Sequence, residues 1–208
     1  MTTSNSEFSS DTALVTGATS GIGRSVALML GKAGAKTVLT GIGDEVGASV
    51  VSEIEEAGGT AAYINGNLSD RDGWKQLLED AKAPYGAFSI LVHCASPPRP
   101  ESQTLFNVTE DQWDAMMNTN LRSGFFLGRA VAPGMLDASL PGRIVYMPSL
   151  RAETPRNLPH YSASKAGQSM LVREMARALA ADGIRVNGIA PGAIPGGGFK
   201  ADVSTLEQ

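Results

Sequence analysis

Two residues four apart in this chain have the types needed to move a proton. In Tyr161-Ser162-Ala163-Ser164-Lys165, Tyr161 and Lys165 fall at i and i+4, so a helix through them stacks both side chains on one face. A phenol titrates near ~10 and is a poor acid–base at neutral pH, but an adjacent ammonium favours the phenolate and lowers that value. Such a pair can give a proton to, or take one from, the oxygen of a carbonyl/alcohol interconversion. The spacing alone equally describes a half-exposed tyrosine beside a snorkelling lysine. Ser149 stands twelve residues before Tyr161, just after the apolar run Gly142–Met147. It is either a hydrogen-bonding loop serine or a group that meets a substrate oxygen. Asn120 falls on the apolar stripe Trp113, Met117, Leu121, Gly124 and Gly128. A buried amide there must be hydrogen-bonded, as a structural bracket or as a member of a polar network.

A second group has the form of a phosphate cradle. In Thr16-Gly17-Ala18-Thr19-Ser20-Gly21-Ile22-Gly23, Gly17 permits a tight turn, Gly21 lets backbone N–H groups approach a pyrophosphate, and Gly23 lets helix and strand pack closely. The helix that follows adds the partial positive charge of its N-terminus. A strand-to-helix connection without a ligand could use the same residues, so the position of the turn in the fold matters.

These groups need elements to position them. Short apolar runs at 13–16, 37–40, 61–64, 89–92, 142–147 and 184–189 alternate with helical stretches near 22–33, 45–57, 70–83 and 161–182. Val46, Val50 and Ile54 give the second helix its apolar stripe, and Gly58-Gly59 ends it. A long helix begins near Thr109, where Thr109 and Gln112 can form a capping box, and Pro97-Pro98-Arg99-Pro100 is a loop. Apolar strands separated by helices predict an α/β fold, a doubly wound parallel sheet with helices on both faces. Ligands of such sheets bind outside the carboxyl ends of the strands, where the glycine turn, Ser149 and Tyr161 all fall.

The chain has 208 residues, enough for one domain, with 17 Lys plus Arg against 21 Asp plus Glu and a net charge of −4. Without a basic block it is a poor partner for nucleic acid. One cysteine, Cys94, and two histidines, His93 and His160, exclude an internal disulfide and leave little to bind a metal. No apolar run approaches a bilayer span, and MTTSNSEFSSD lacks the pattern of a signal peptide, so a cytoplasmic protein without a membrane anchor is expected. The expected division is a polar tail at 1–11, a dinucleotide-binding and catalytic domain at 12–192, and the start of a substrate lid at 193–208.

Taken together, TGATSGIG, YSASK, Ser149 after GRIVYMP, Asn120 in NTNLRSGFF, and RVNGIAPG resemble the short-chain dehydrogenase/reductase family, in the family's order from Thr12 to about Gly192. The resemblance implies a Rossmann-type fold and an NAD(P)-dependent oxidoreductase passing a hydride between nicotinamide and a secondary alcohol or ketone. It implies that Tyr161 is the acid–base and that Lys165 lowers its pKa and binds the nicotinamide ribose. Ser149 would hold the substrate oxygen, and Asn120 would anchor a water in the proton relay. Cofactor contacts would come from Gly17, Thr19, Ser20, Gly21, Ile22, Gly23, Gly41, Ile42, Asn67, Leu68, Ala95, Ser96, Pro191, Gly192 and Ile194, besides Tyr161 and Lys165. A homodimer or homotetramer would form through the helices carrying Asn120 and Tyr161.

The chain departs from the family pattern in several places. His93-Cys94-Ala95-Ser96 replaces Asn-Asn-Ala-Gly, with Ala95 passing under the adenosine and His93 and Cys94 packed as strand residues. Asn67-Leu68 replaces an aspartate, and the Asn67 amide oxygen is expected to accept the adenine amino group. Gly196 stands where many relatives have threonine, leaving the Ile194 backbone for the carboxamide. Relatives continue beyond the equivalent of Gln208 through a lid, a helix and a seventh strand, so six strands and an incomplete C-terminal section are expected. Gly41 takes the usual aspartate position after the second strand, and Ile42 and Ser20 stand where NADP enzymes often carry a base. That arrangement is similar to the family's NAD-dependent 3-hydroxybutyrate dehydrogenases and favours NAD, with Arg24 or a lid residue the cation that would reverse the preference. The substrate would be a small hydroxy acid, a sugar or polyol, or, with NADPH, a 3-oxoacyl thioester. Arg151, Arg156 and His160 are expected near the pocket mouth, where an arginine could pair with a substrate carboxylate or simply be solvated. The rival from another class is a dinucleotide sensor or scaffold of the same fold without chemistry.

Overall fold

The computed structural model describes residues 7–100, 102–137 and 141–194. Six parallel strands form its sheet: β1 (Thr12–Thr16), β2 (Lys36–Gly41), β3 (Thr60–Asn65), β4 (Ile90–His93), β5 (Arg143–Tyr146) and β6 (Arg185–Gly188). Their order is β3-β2-β1-β4-β5-β6, so the winding reverses between β1 and β4 and opens a crevice there. The register runs Thr16↔Thr40 between β1 and β2 and Thr16↔His93 between β1 and β4, which levels the carboxyl ends of all three strands. The six runs of the sequence are these strands, within one or two residues.

Alternation along β1 decides which helix layer each side chain meets. Ala13 and Val15 pack with Ala27 of α1 (Gly21–Lys32) and with Val50 and Ile54 of α2 (Asp44–Glu56). Leu14 faces the other way, into a core shared with Leu77 and Leu78 of α3 (Gly73–Lys82), with Leu127 and Val131 of α5 (Ser123–Asp137) and with Met175 of α6 (Pro159–Leu179). Leu14, Leu39, Leu91 and Ile144 are almost wholly buried, and each such side chain stabilises the fold by about 1.5–3 kcal/mol.

Two apolar stripes sit differently from expectation. In α2 the buried face is Gly47, Val50 and Ile54, while Val46 is exposed. The long helix after Thr109 is interrupted: α4 (Glu110–Met117) gives way to a π turn over Asn118–Arg122 before α5 resumes. The Ser123 N–H donates to the Asn118 carbonyl five residues back, and this extra residue per turn rotates everything that follows. A stripe drawn at 3.6-residue period therefore holds only in part: Gly124 and Gly128 are buried, as is Asn120, but Trp113 is exposed, Met117 and Leu121 are only partly covered, and Met116, Thr119, Ser123 and Leu127 join the buried face. The capping box itself is present, Thr109 and Gln112 exchanging bonds of 3.0 and 3.3 Å. Of the lid expected at 193–208, residues 195–208, including Gly196, lie outside the described residues, as do the first six residues of the tail.

Candidate active site

A cleft of about 1140 Å³ opens along the carboxyl ends of the strands at the β1/β4 reversal. Gly17, Thr19, Ser20, Gly21, Ile22 and Gly23 form one wall, Gly41, Ile42, Asn67, Leu68, Ala95 and Ser96 a second, and Ser149, Tyr161, Lys165, Pro191, Gly192 and Ile194 a third. Every expected site residue except Asn120 lines it. Arg151, Arg156 and His160 are not among the residues that line it, although the Arg151 N–H bonds Ser149, which does. His160 is buried and bonds Gln103 instead, at 3.0 Å.

The glycine wall fits a pyrophosphate on steric and electrostatic grounds. Gly17 has φ +66°, and a Cβ there would lie 2.7 Å from the Ala95 Cα; a Cβ on Gly23 would lie 2.3 Å from the Gly17 carbonyl. Neither position tolerates a side chain, so the turn is held tight against the loop after β4. The α1 N-terminus has no side-chain cap and no acidic residue in its first turn, in contrast to α2 with Asp44 and Glu45 and α4 with its box. Its open N–H groups face the cleft through Gly21, Ile22 and Gly23, the arrangement that binds an anion. A Cβ on Gly41 would meet the Thr19 hydroxyl oxygen at 2.9 Å, which accounts for a glycine at the end of β2. The Asn67 amide oxygen already accepts two bonds from Ser69, at 3.0 Å from the N–H and 2.8 Å from the hydroxyl, and is thus engaged before any adenine approaches.

In the same cleft, Tyr161 and Lys165 rise from the first turns of α6, as their spacing predicted. The Tyr161 ring is flanked by two cations, the Lys165 Nζ at 5.7 Å and the Arg99 guanidinium at 4.6 Å from its centroid. Lys165 is only 3% exposed, and burial lowers its ammonium from 10.5 to about 7, with Cys94 opposing the fall and Arg99 adding to it. The ammonium donates to the Met147 carbonyl at 2.7 Å and to the Gln168 Oε1 at 3.2 Å. Ser149 caps a 3-10 turn, its oxygen accepting the Arg151 N–H at 3.2 Å and its own hydrogen left to donate into the cleft.

Behind these side chains lies a buried polar network. Gln168 is fully buried; its Nε2 donates to the Asn120 carbonyl at 2.6 Å while its Oε1 accepts from Lys165. The Asn120 Nδ2 donates to the Ser164 hydroxyl at 2.8 Å, which donates in turn to the Tyr161 carbonyl at 2.8 Å. Asn120 is thus a buried bracket behind Tyr161, its carbonyl engaged by Gln168. His93 fixes the π turn from below. Its Nε2 must carry hydrogen to reach the Thr119 carbonyl at 3.0 Å, so its Nδ1 accepts from the Thr16 hydroxyl at 2.9 Å. The Thr16 oxygen in turn accepts the Ala95 N–H at 3.2 Å. Burial takes the His93 pKa down to about 4, which keeps this tautomer neutral, and burial pushes the Cys94 thiol up to about 12. Sequence reasoning missed Gln168 and Arg99 as members of the site. Their signals were an amide three residues after Lys165 and an arginine among the prolines after β4.

Among the described residues no group of His, Cys, Asp and Glu side chains could hold a metal ion, and no helix is long and apolar enough to cross a membrane. The sequence profile of the short chain dehydrogenase family matches residues 11–205. The chain belongs to that family. This short chain dehydrogenase is 35% identical over 184 residues to the 3-oxoacyl-[acyl-carrier-protein] reductase FabG of Staphylococcus aureus, covering 88% of this chain and 74% of the relative. It is 36% identical over 181 residues to a 3beta-hydroxysteroid dehydrogenase of Mediterraneibacter gnavus, covering 86% and 64% respectively. The crystal structure of a 3-oxoacyl (acyl-carrier-protein) reductase from Agrobacterium tumefaciens C58 with NADP bound superposes with a TM-score of 0.81 at 34% identity, over 88% of this chain and 69% of that one. The dehydrogenase is therefore an NAD(P)-dependent oxidoreductase acting on an alcohol or carbonyl carbon.

Proposed function

We propose that the protein interconverts a secondary alcohol and a ketone with Tyr161 as the group that gives and takes the proton of the substrate oxygen. The observation that carries this reading is the buried Lys165 ammonium beside the Tyr161 ring on one face of α6, in the cleft that begins at the glycine turn. Ser149 donates its free hydrogen to the same oxygen and orients it. Lys165 sets its Nζ beside the Tyr161 ring and holds the ribose of the dinucleotide. Asn120 braces Tyr161 through Ser164. When bound, the dinucleotide supplies or accepts the hydride. The glycine wall and the Ala95 loop hold its pyrophosphate and adenosine.

The reading favours NAD. Ile42 stands exposed at the end of β2, a Cβ on Gly41 would press on Thr19, and Arg24 is ion-paired with Glu53, so among the described residues there no free cation is ready to meet a 2′-phosphate. The NADP bound to the Agrobacterium relative belongs to that protein. Titration followed by nicotinamide fluorescence is expected to give NADH a Kd about tenfold or more below that of NADPH, because an unpaired phosphate dianion must be desolvated. Ile42→Arg should close that gap. Equal affinities in the parent protein, or tighter NADPH, would overturn the preference and move the reading toward a 3-oxoacyl thioester reductase.

Gln168 acts as a positioning residue in this scheme. An ammonium only donates and a carbonyl only accepts, so a group joining Lys165 to the Asn120 carbonyl must accept at one end and donate at the other, as a primary amide does. Gln168→Leu is expected to lower kcat about tenfold, by analogy with the loss of one buried hydrogen bond to a charged group. It also removes an acceptor from the ammonium and moves the alkaline limb of the kcat–pH profile to lower pH. Gln168→Glu sets an anion beside Lys165 and moves the same limb upward. A role in packing alone would leave both limbs in place.

The family resemblance carries the expectation of a homodimer or homotetramer, and Trp113, Phe125 and Met170 are exposed apolar side chains on the helices concerned. A monomer in sedimentation velocity would contradict it. The unpaired Cys94 suits a reducing cytoplasm.

A further inference from the structure

Among the described residues the charged side chains lining the cleft are Arg24, Lys165 and Arg99, and no carboxylate lines it. That is an unusual wall for a chain of net charge −4. Two of the three cations are accounted for. Arg24 pairs with Glu53, and the Lys165 ammonium is sealed against the Met147 carbonyl and Gln168. Arg99 is different: it is half-buried, and among the described residues it has neither an ion pair nor a hydrogen bond, only the face of the Tyr161 ring. A guanidinium withdrawn partly from water with no acceptor costs free energy that its ring contact returns only in part. Its loop is stiffened for the purpose, since Pro97, Pro98 and Pro100 limit the backbone around it.

We infer that Arg99 is the anchor for a carboxylate on the substrate, and that the substrates are short oxo acids and hydroxy acids whose carboxylate lies within a few bonds of the reacting carbon. The inference rests on the proposed role of Tyr161, because the distance from Arg99 to the reacting carbon is set by its stacking on that ring. The pyrophosphate has its own seat in this scheme, the open N–H groups of the glycine turn and α1, whereas the Arg99 guanidinium lies over the Tyr161 ring, where the substrate oxygen is placed. A guanidinium fork matches a carboxylate with two parallel N–H bonds and so fixes the plane and distance of the acid as well as binding it. The carboxylate takes no part in the bond changes. It holds the carbonyl oxygen toward Ser149 and Tyr161, and a neutral ester of the same skeleton loses that hold.

The test compares acetoacetate with its methyl ester, and adds calorimetry of malonate, which has the carboxylates but no reducible carbonyl, on the protein saturated with NADH. The expected result is a kcat/KM at least thirtyfold higher for the acid than for the ester, and a malonate affinity that Arg99→Leu lowers about tenfold or more, the scale of a charge-assisted bidentate pair. In Arg99→Leu the acid-to-ester ratio collapses toward one, and Arg99→Lys, which keeps the charge without the fork, restores part of it. Malonate binding that is absent, or equal in parent and Arg99→Leu, overturns the anchor. So does an equal loss for acid and ester, which would mean that Arg99 acts on Tyr161 and not on the substrate. Failure to reduce either compound would overturn the short oxo acid class and leave the reading of Tyr161 to its own test, while malonate would still report on Arg99.

Discussion

Tyr161→Phe is expected to lower kcat by about 10³-fold or more and to leave the affinity for the dinucleotide within about twofold, since a positioned acid–base contributes on the order of 10²–10⁴ and the ring itself is retained. The substitution removes one oxygen and nothing else. Tyr161 packs with Met116 and Leu158 in a small buried cluster, and its ring carries the contacts of Arg99 and Lys165 on its faces. Phenylalanine keeps all of these, so a folding defect is not a competing explanation for lost turnover. The expected pattern is a fall in kcat for acid and ester alike, with nicotinamide fluorescence on titration unchanged. Turnover that survives in Tyr161→Phe would sink the assignment and leave a protein that binds the dinucleotide for some purpose other than chemistry.

The parts of this site that were legible in the sequence are those whose signal is local. Gly17 and Gly23 announce themselves because no other residue fits where a Cβ would meet a backbone atom below 3 Å. Tyr161 and Lys165 are legible because one helix places i and i+4 together whatever the rest of the chain does. The strands were visible as apolar runs because a sheet covered on both faces has no polar side to show. What could not be read was long-range or irregular. The π turn has no proline or glycine to mark it, only Asn118, Thr119 and Asn120, and it rotated the buried face away from Trp113. The bond from Gln168 to Asn120 spans 48 residues, and the stacking of Arg99 on Tyr161 joins a loop to a helix. No periodicity encodes such pairs. Arg151 and Arg156 stand nearer in sequence to Tyr161 than Arg99 does, so sequence distance alone pointed to them.

Lys165→Met should lower kcat by about 10²–10³, the range for losing a fixed charge beside a reacting group, while flattening the dependence of stability on pH. The two effects have one origin. Burial lowers the Lys165 ammonium to about 7 in the folded protein against 10.5 for the free side chain. Between these values the unfolded chain holds a proton that the folded protein has released, so stability rises with pH across that window. The slope is about 1 kcal/mol per pH unit, and below pH 7 the contribution is flat and at its least favourable because the charge itself is then buried. Neighbouring groups set the usable range. His93, lowered by burial to about 4, makes stability fall as pH drops below about 6.5. Cys94, raised by burial to about 12 from 9.0, makes it fall as pH rises beyond about 9. Among the described residues with a shifted pKa, only Lys165 titrates from pH 7 to 9, and urea denaturation there should show the parent protein gaining stability relative to Lys165→Met with each unit. The offset between the two is less informative, because methionine leaves the Met147 carbonyl and the Gln168 oxygen unpaired, at about 1–3 kcal/mol each. Parallel profiles would mean that Lys165 keeps its ordinary pKa and that its burial is relieved by some other group. A rising profile confined to the parent would identify the cost of placing an ammonium where Tyr161 can use it, a cost borne by the fold and recovered only in turnover.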